Sequence, residues 1–503
     1  MVQKQVSDMI TGVWRIKWWK YRYFLIAGLL ANILLINRFY FDQSITDLNP
    51  FRSPSTDIKL ENPAASAPSK DQAHPPPPPP SASPSPNAPT YTAIPLTAYP
   101  GAPTSSAKLF NLQDYDFNGD YVGWPLERVC HETTWTPGLI YACDNNSGGI
   151  GNIRNFILSC LRYGIETGAT GIIMPRIQRR HDDDLANLFN AGFKPFDYFF
   201  DEEHFRSVMS TYCPQMVIYN SLEDVPHKDN LMNIDEYYPK DLADGDCCDN
   251  RGANKHLDVY RGKFENWLNT TRRTPNATHP VSIRYRWAMF FEWPIYRDGP
   301  EFAATFGDVL RLNKEVESLA VKTLDEMAKF VGVQPDPTHT KFEAPFLGVH
   351  LRTESDALGF WPDFNVQTEG YMKQAEAREL KHAYLACGNA TDGHRFGEMA
   401  YEKLKLNTTS KLDLLKGDDL KRLTDLTWDQ QALVDFLVLT KSAHFTGCSF
   451  SSFTMNIAFK RHLMTGGLFT RPWKSPGDPY STLVGRFDSW YGDWMFMYEC
   501  MWP

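Results

Sequence analysis

The sequence lacks most of the short signatures that settle a chemistry at sight. Its nine cysteines make no zinc-like set. Cys247 and Cys248 are adjacent, but no second cysteine or histidine pair completes four ligands, so no metal site is expected. No glycine loop keeps the GxGxxG spacing of a dinucleotide fingerprint, which disfavours a nicotinamide cofactor. A basic excess is also missing: 51 Lys and Arg against 60 Asp and Glu leave a net charge of −9, which gives no reason to expect nucleic acid as a partner. Internal repeats are absent. Between residues 42 and 105 large apolar groups are scarce, and "HPPPPPPSASPSPNAP" cannot bury enough surface to fold.

Long apolar runs are equally rare, and the one that stands out is "YRYFLIAGLLANILLINRFYF", residues 21–41. It is close to the roughly 20 residues of a bilayer-spanning helix, with aromatics at both ends. A cleaved signal peptide is the rival reading, but the run starts late and no small-x-small site follows it. Lys4, Arg15, Lys17 and Lys20 precede the run, Arg22 stands at its start, and few cations follow it. The expectation is therefore a type II anchor over 21–41: a cytoplasmic tail at 1–20, and a proline-rich stem at 42–105 holding a lumenal part off a Golgi or ER membrane. An oxidising lumen permits disulfides. Cys130, Cys143, Cys213, Cys247, Cys248, Cys387 and Cys500 are spread as loop staples would be, and Cys160, on an apolar helical face, is the expected free thiol. Glycosylation sequons start at Asn145, Asn269, Asn276, Asn389 and Asn407.

From about 106 onward strand and helix patterns alternate. "GLIYACD" reads as a strand, "SGGIGN" as a glycine loop, "IRNFILSCLRYGIETG" as a helix and "GIIMPRI" as the next strand: a βαβ unit, hence a parallel sheet. Residues 180–300 look irregular. After the amphipathic helix "NKEVESLAVKTLDEMAKFVGV", a second α/β block starts near Lys341. The expected fold is α/β, with an N-terminal lobe over 106–335 and a C-terminal lobe over 336–503, separated by a cleft.

Three loops in these blocks suit a phosphate. In "FLGVHLRTE" the residues His350 and Arg352 share one face at the carboxyl end of a strand, where parallel sheets bind ligands. Arg352 carries a fork matched to phosphate oxygens; the competing reading is an Arg352–Glu354 salt bridge beside a core histidine. In "FTGCSFSSF" the residues Ser451 and Ser452 open a helix, either as plain caps or as an anion seat. In "SGGIGN" the residues Gly149 and Gly151 let a backbone approach a ligand. A bidentate arginine and a helix N-terminus together fit a diphosphate leaving group, and transfer from a nucleotide-sugar is the reaction that best suits the set.

Taken together, "SGGIGNIRNFIL", "FLGVHLRTE" and "DQQALVDFLVLTKSAHFTGCSFSSFTMNIAFKR" resemble, in that order, the sequence blocks of the GDP-fucose protein O-fucosyltransferase family. The resemblance implies a GT-B-like fold of two Rossmann-like lobes with GDP-fucose between them, the acceptor on the N-terminal side and the nucleotide-sugar on the C-terminal side. It implies that Arg352 binds the β-phosphate and steadies departing GDP, and that His350 contacts the donor. Ser451, Ser452 and Phe453 would hold the diphosphate and fucose. Gly149, Gly151 and Asn152 would line the cleft, and Asp392 would meet the guanine or ribose. It also implies inversion without a bound metal or other cofactor. The block departs from the family pattern in having Asn152-Ile153-Arg154 where Asn-Gln is frequent, and in having no acid inside the glycine loop; Asp144 and Glu354 are the alternative bases. "HLRT" lacks the HxRR of the related α1,6-type enzymes and leans toward a protein acceptor. The alternatives are the same fold with another nucleotide-sugar or a glycan acceptor, and an inactive lumenal carbohydrate-binding or scaffold protein.

Overall fold

The structure is a computed structural model that describes residues 118–181, 184–185, 187, 191–237, 255–270, 274–285, 293, 295–333, 345–357, 361–449, 451–463, 478–485 and 501–503. The anchor at 21–41, the stem at 42–105, and Cys247, Cys248 and Cys500 lie outside the described residues. Among those described, no helix is long and apolar enough to cross a membrane.

The first lobe contributes β1 (Thr136–Ala142), β2 (Ala169–Ile173), the short antiparallel pair β3 (Ile177–Gln178) and β4 (Phe193–Lys194), β5 (Val217–Tyr219), β6 (Met232–Tyr237) and β7 (Val281–Tyr285). Five of these form a parallel sheet in the order β5-β2-β1-β7-β6. The second lobe contributes β8 (Phe346–His350), β9 (His382–Ala386), β10 (Asn407–Thr409), β11 (His444–Cys448) and β12 (Ser481–Val484), parallel in the order β10-β9-β8-β11-β12. β8 and β11 are buried at every position, as the interior strands of a sheet covered on both faces should be. These are two parallel sheets, as the α/β reading expects.

The helices follow their local signals. α1 (Ile150–Thr167) is apolar on most faces and almost wholly buried; it stops at Gly168, whose φ of 73° suits a residue without a side chain. α2 (Lys314–Val331) starts at Asn313, whose side chain accepts the Val316 N–H. α3 (Phe364–Ala377) and α4 (Ala390–Leu404) follow β8 and β9. α5 (Trp428–Thr440) opens on a Thr427–Gln430 capping box, and α6 (Ser452–His462) on Ser451. α2 packs on α5, and α6 packs on α1 of the first lobe, so the two lobes meet at the start of the two site helices.

Three expectations are corrected. The region 180–300 is not irregular: it supplies β5, β6 and β7 of the first sheet and the helices Glu202–Tyr212 and Lys255–Thr270. Its strands are short or, like the edge strand β6, carry polar residues, so no apolar run marks them. Cys160 is not free. It is bonded to Cys143 at the exit of β1, because the apolar face of α1 that carries it lies on that strand; the other bridge among the described residues is Cys130–Cys213. Cys387, expected to be a staple, is a free thiol, as is buried Cys448.

Candidate active site

The exit of β8 is held rigidly before any ligand is considered. Gln367 of α3 brackets Arg352: its Nε2 donates to the Arg352 carbonyl at 2.8 Å, and its Oε1 accepts the Arg352 N–H at 3.0 Å. Tyr371, one turn on, donates its hydroxyl to the His350 carbonyl at 2.8 Å. Val349 and Leu351 go to the core, so the two functional side chains emerge on the opposite face.

Arg352 is only 11% exposed at its side chain. It pairs with Glu354, and with Asp356 at 2.7 Å, and lies 5.2 Å from the Trp361 ring. Burial alone would lower its pKa, but the two carboxylates more than offset this and raise it, so the guanidinium stays cationic. The salt bridge that competed with the phosphate reading is thus present, and it is also what keeps a buried cation in place.

His350 is buried beside this cation. Burial, then the charge of Arg352, pushes its pKa down to about 3, so the imidazole is neutral at any working pH. Its Nδ1 and the Thr454 hydroxyl lie 2.7 Å apart, and its ring sits 4.6 Å from that of Phe453. Strand β8 is thereby tied to the first turn of α6, which follows β11, the strand paired with it. Ser451 caps α6 through the Thr454 N–H, while Ser452 and Phe453 stay half-buried at the helix mouth. The first-turn N–H groups and positive end of this helix lie beside His350, two residues before Arg352 in the chain.

The glycine loop closes the other side. A Cβ on Gly151 would fall 2.6 Å from the Ser452 carbonyl group, so only glycine allows α1 to touch the mouth of α6. Asn146 shapes the loop, donating to the Arg176 carbonyl at 2.7 Å and accepting the Gln178 N–H at 3.0 Å. The Ser147 hydroxyl is buried with no partner among the described residues. Gly149 faces open space, and Asn152 is half-buried in the first turn of α1.

The structure therefore brings His350, Arg352, Ser451, Ser452, Phe453 and Gly151 together. Asp392 sits one strand away, in the first turn of α4, exchanging hydrogen bonds with Asn389. Both candidate bases are engaged. Glu354 binds Arg352 and accepts the Gly388 N–H at 2.7 Å; Asp144, at the exit of β1, pairs with Arg176 at 2.6 Å and Arg284 at 2.8 Å. Among the described residues no three His, Cys, Asp or Glu side chains gather into a metal-sized group.

Some participants escaped the sequence reading. Thr454 was legible in principle, two residues past the serine pair. Asp356 lies two residues beyond Glu354. Buried Arg154, in the family-departing Asn152-Ile153-Arg154 stretch, donates to Asn456 of α6 at 3.1 Å and to the Trp502 and Pro503 carbonyls at 2.6 Å each. Asn456 in turn donates to the Ser452 carbonyl at 3.1 Å. Nothing local to the sequence announces that relay.

The family model of the GDP-fucose protein O-fucosyltransferases matches residues 139–464. Similar solved structures include POFUT1 in complex with GDP, 12% identical, covering 70% of this chain and 100% of that one at a TM-score of 0.40. POFUT1 in complex with GDP-fucose is 14% identical, covering 70% and 99% at a TM-score of 0.40. A mutant of Arabidopsis thaliana FUT1 in complex with GDP is 11% identical, covering 67% and 71% at a TM-score of 0.33. No curated protein sequence matches the chain.

Proposed function

Because the chain belongs to the GDP-fucose protein O-fucosyltransferase family, matched over residues 139–464, we propose that it moves fucose from GDP-fucose to a protein Ser or Thr hydroxyl, with inversion and without a metal. Membership makes it a fucosyltransferase; the acceptor, the stereochemical course and the compartment are our reading. That compartment is the lumen of the Golgi or ER, reached by a single-pass anchor at 21–41. The bridges Cys130–Cys213 and Cys143–Cys160 suit an oxidising space.

The observation that carries the reading is the buried, permanently cationic Arg352 at the exit of β8, next to the capped mouth of α6. In the reaction the bond between the fucose anomeric carbon and the β-phosphate oxygen breaks, and its electron pair leaves with GDP. The acceptor oxygen bonds the anomeric carbon from the opposite face and loses its proton. Charge grows on the β-phosphate as the bond stretches, and donors already fixed there, Arg352 and the N–H groups at Ser452 and Phe453, stabilise it without reorganisation. Neutral His350 is suited to a hydrogen bond with a donor hydroxyl. The proton goes to a carboxylate, Asp144 or Glu354, and either serves only when a guanidinium partner lets go.

That double engagement favours one second reading, an inactive carbohydrate-binding protein. Binding and turnover of GDP-fucose, GDP-mannose, UDP-sugars and free GDP by the purified full-length chain and by Arg352→Ala separate the two. Turnover of GDP-fucose that the variant loses is the expected result. Tight GDP binding with no turnover of any donor leaves the binding protein, and preference for another sugar overturns the choice of fucose.

A further inference from the structure

Arg180 comes from the first lobe, two residues beyond β3, yet among the described residues its side chain and backbone N–H make contacts in the second. Its side chain is 9% exposed. The backbone N–H donates to Asp429 Oδ2 at 3.2 Å, and the guanidinium lies 5.8 Å from the Trp428 ring, both at the start of α5. Nη1 donates to Asp356 Oδ2 at 3.0 Å. That same oxygen accepts Arg352 Nη2 at 2.7 Å. Two guanidinium groups, one from each lobe, thus converge on a single carboxylate oxygen.

The arrangement is poorly satisfied for a structural ion pair. Asp356 Oδ1 is buried without a partner among the described residues, and so is Arg180 Nε. Buried polar atoms are nearly always paired, and two such exceptions within one contact ask for a reason. A carboxylate brings two oxygens to two planar forks that together offer ten N–H donors. A diphosphate brings more oxygens, more charge and a span that reaches both forks.

We propose that Arg180 is a second guanidinium of the donor's diphosphate clamp, supplied across the cleft by the first lobe, and that the Asp356 carboxylate holds both forks in position until phosphate oxygens displace it. The proposal rests on the GDP-fucose reading above. It follows that gripping the leaving group and closing the lobes on the donor are one event. Loss of Arg180 therefore weakens diphosphate binding and slows transfer more than it raises KM, because the charge it faces is largest as GDP departs.

Calorimetric titration of the full-length chain with GDP and with GMP, which lacks the β-phosphate, tests this in wild type, Arg180→Met, Arg180→Lys and Arg352→Ala. Arg180→Met is expected to weaken GDP at least tenfold and GMP less than threefold, with Arg180→Lys in between and kcat falling further than KM rises. If Arg180→Met does not fold, Arg180→Lys carries the comparison alone. GDP affinity within threefold of wild type, or equal losses for GDP and GMP, would make Arg180 a strut between the lobes and overturn the proposal. If wild type binds neither nucleotide, the GDP-fucose reading itself has failed, a result distinct from either.

Discussion

Two glycines two residues apart at the start of α1 are expected to respond unequally to the same added methyl group. A Cβ on Gly151 meets the backbone of Ser452 at 2.6 Å and the Phe453 nitrogen at 2.9 Å, whereas a Cβ on Gly149 meets nothing within 4 Å, at an ordinary φ of −83°. Real Cβ atoms do not approach backbone that closely, so in Gly151→Ala α1 and the mouth of α6 must separate by somewhat under 1 Å. Forced overpacking of this kind costs about 1–3 kcal/mol, which lowers the melting temperature by roughly 2–6 °C. The displaced atoms are those proposed to face the diphosphate, and a misplacement near 1 Å is enough to slow catalysis up to about 100-fold. Melting curves and GDP-fucose turnover of the two alanine variants, measured side by side, check this. Gly149→Ala should melt within about 1 °C of wild type. If Gly151→Ala melts and turns over like wild type, or Gly149→Ala is the more damaged, the lobes do not meet at this loop as described.

Other outcomes follow from the same structure. His350 and His444 are buried and each is pushed down to about 3; the unfolded chain takes up protons near pH 6.5 while the native state does not, so stability falls as pH drops from 6.5 toward 3, by about 2 kcal/mol per histidine at pH 5. Urea midpoints at pH 7.5 and 5.0 should differ less in His444→Gln than in wild type, and equal differences would refute the assignment. The Cys143–Cys160 bridge closes a loop of 17 residues, so Cys160→Ser should lose about 3 kcal/mol in denaturant titration. Asn145 is half-buried beside that bridge and the glycine loop, and glycopeptide mapping should find it bare; full occupancy would count against a cleft there.

The second lobe was easy to read because its signals are local. β8 is an apolar run up to His350, β11 is a short strand before a turn, and α5 and α6 announce themselves by Thr427–Gln430 and Ser451. Even there one boundary moved: the helical pattern through "LTKSAHF" stops at Thr440, and His444 starts a strand because its ring bonds Thr482 and its backbone pairs with β8, a tertiary preference that no window of sequence contains. The first lobe was legible at β1, α1, β2 and the amphipathic α2. β6 sits at the sheet edge, where Asn233, Asp235 and Glu236 break the apolar pattern. At the site, Arg352, His350 and the serines were found because a strand exit or helix start carries its own grammar. Arg180 was not, because its partners Asp356 and Asp429 lie 176 and 249 residues away. The choice posed at Arg352, salt bridge or phosphate ligand, was a false one, since a buried cation needs counter-charges whatever else it binds.

The contacts of Arg154 also bear on how the chain is made. Its guanidinium, buried where α1 meets α6, makes two of its hydrogen bonds to carbonyls 348 and 349 residues later in the chain. At roughly 5–20 residues added per second, those carbonyls emerge on the order of tens of seconds after Arg154 itself. For that interval the nascent first lobe carries a cation that it can neither bury with partners nor leave in water without loosening α1. The lobe therefore cannot finish folding as it is synthesised. It has to wait, partly open, for the last residues described here, and a folding helper that shields apolar surface during that delay would act on this half of the protein rather than on the other.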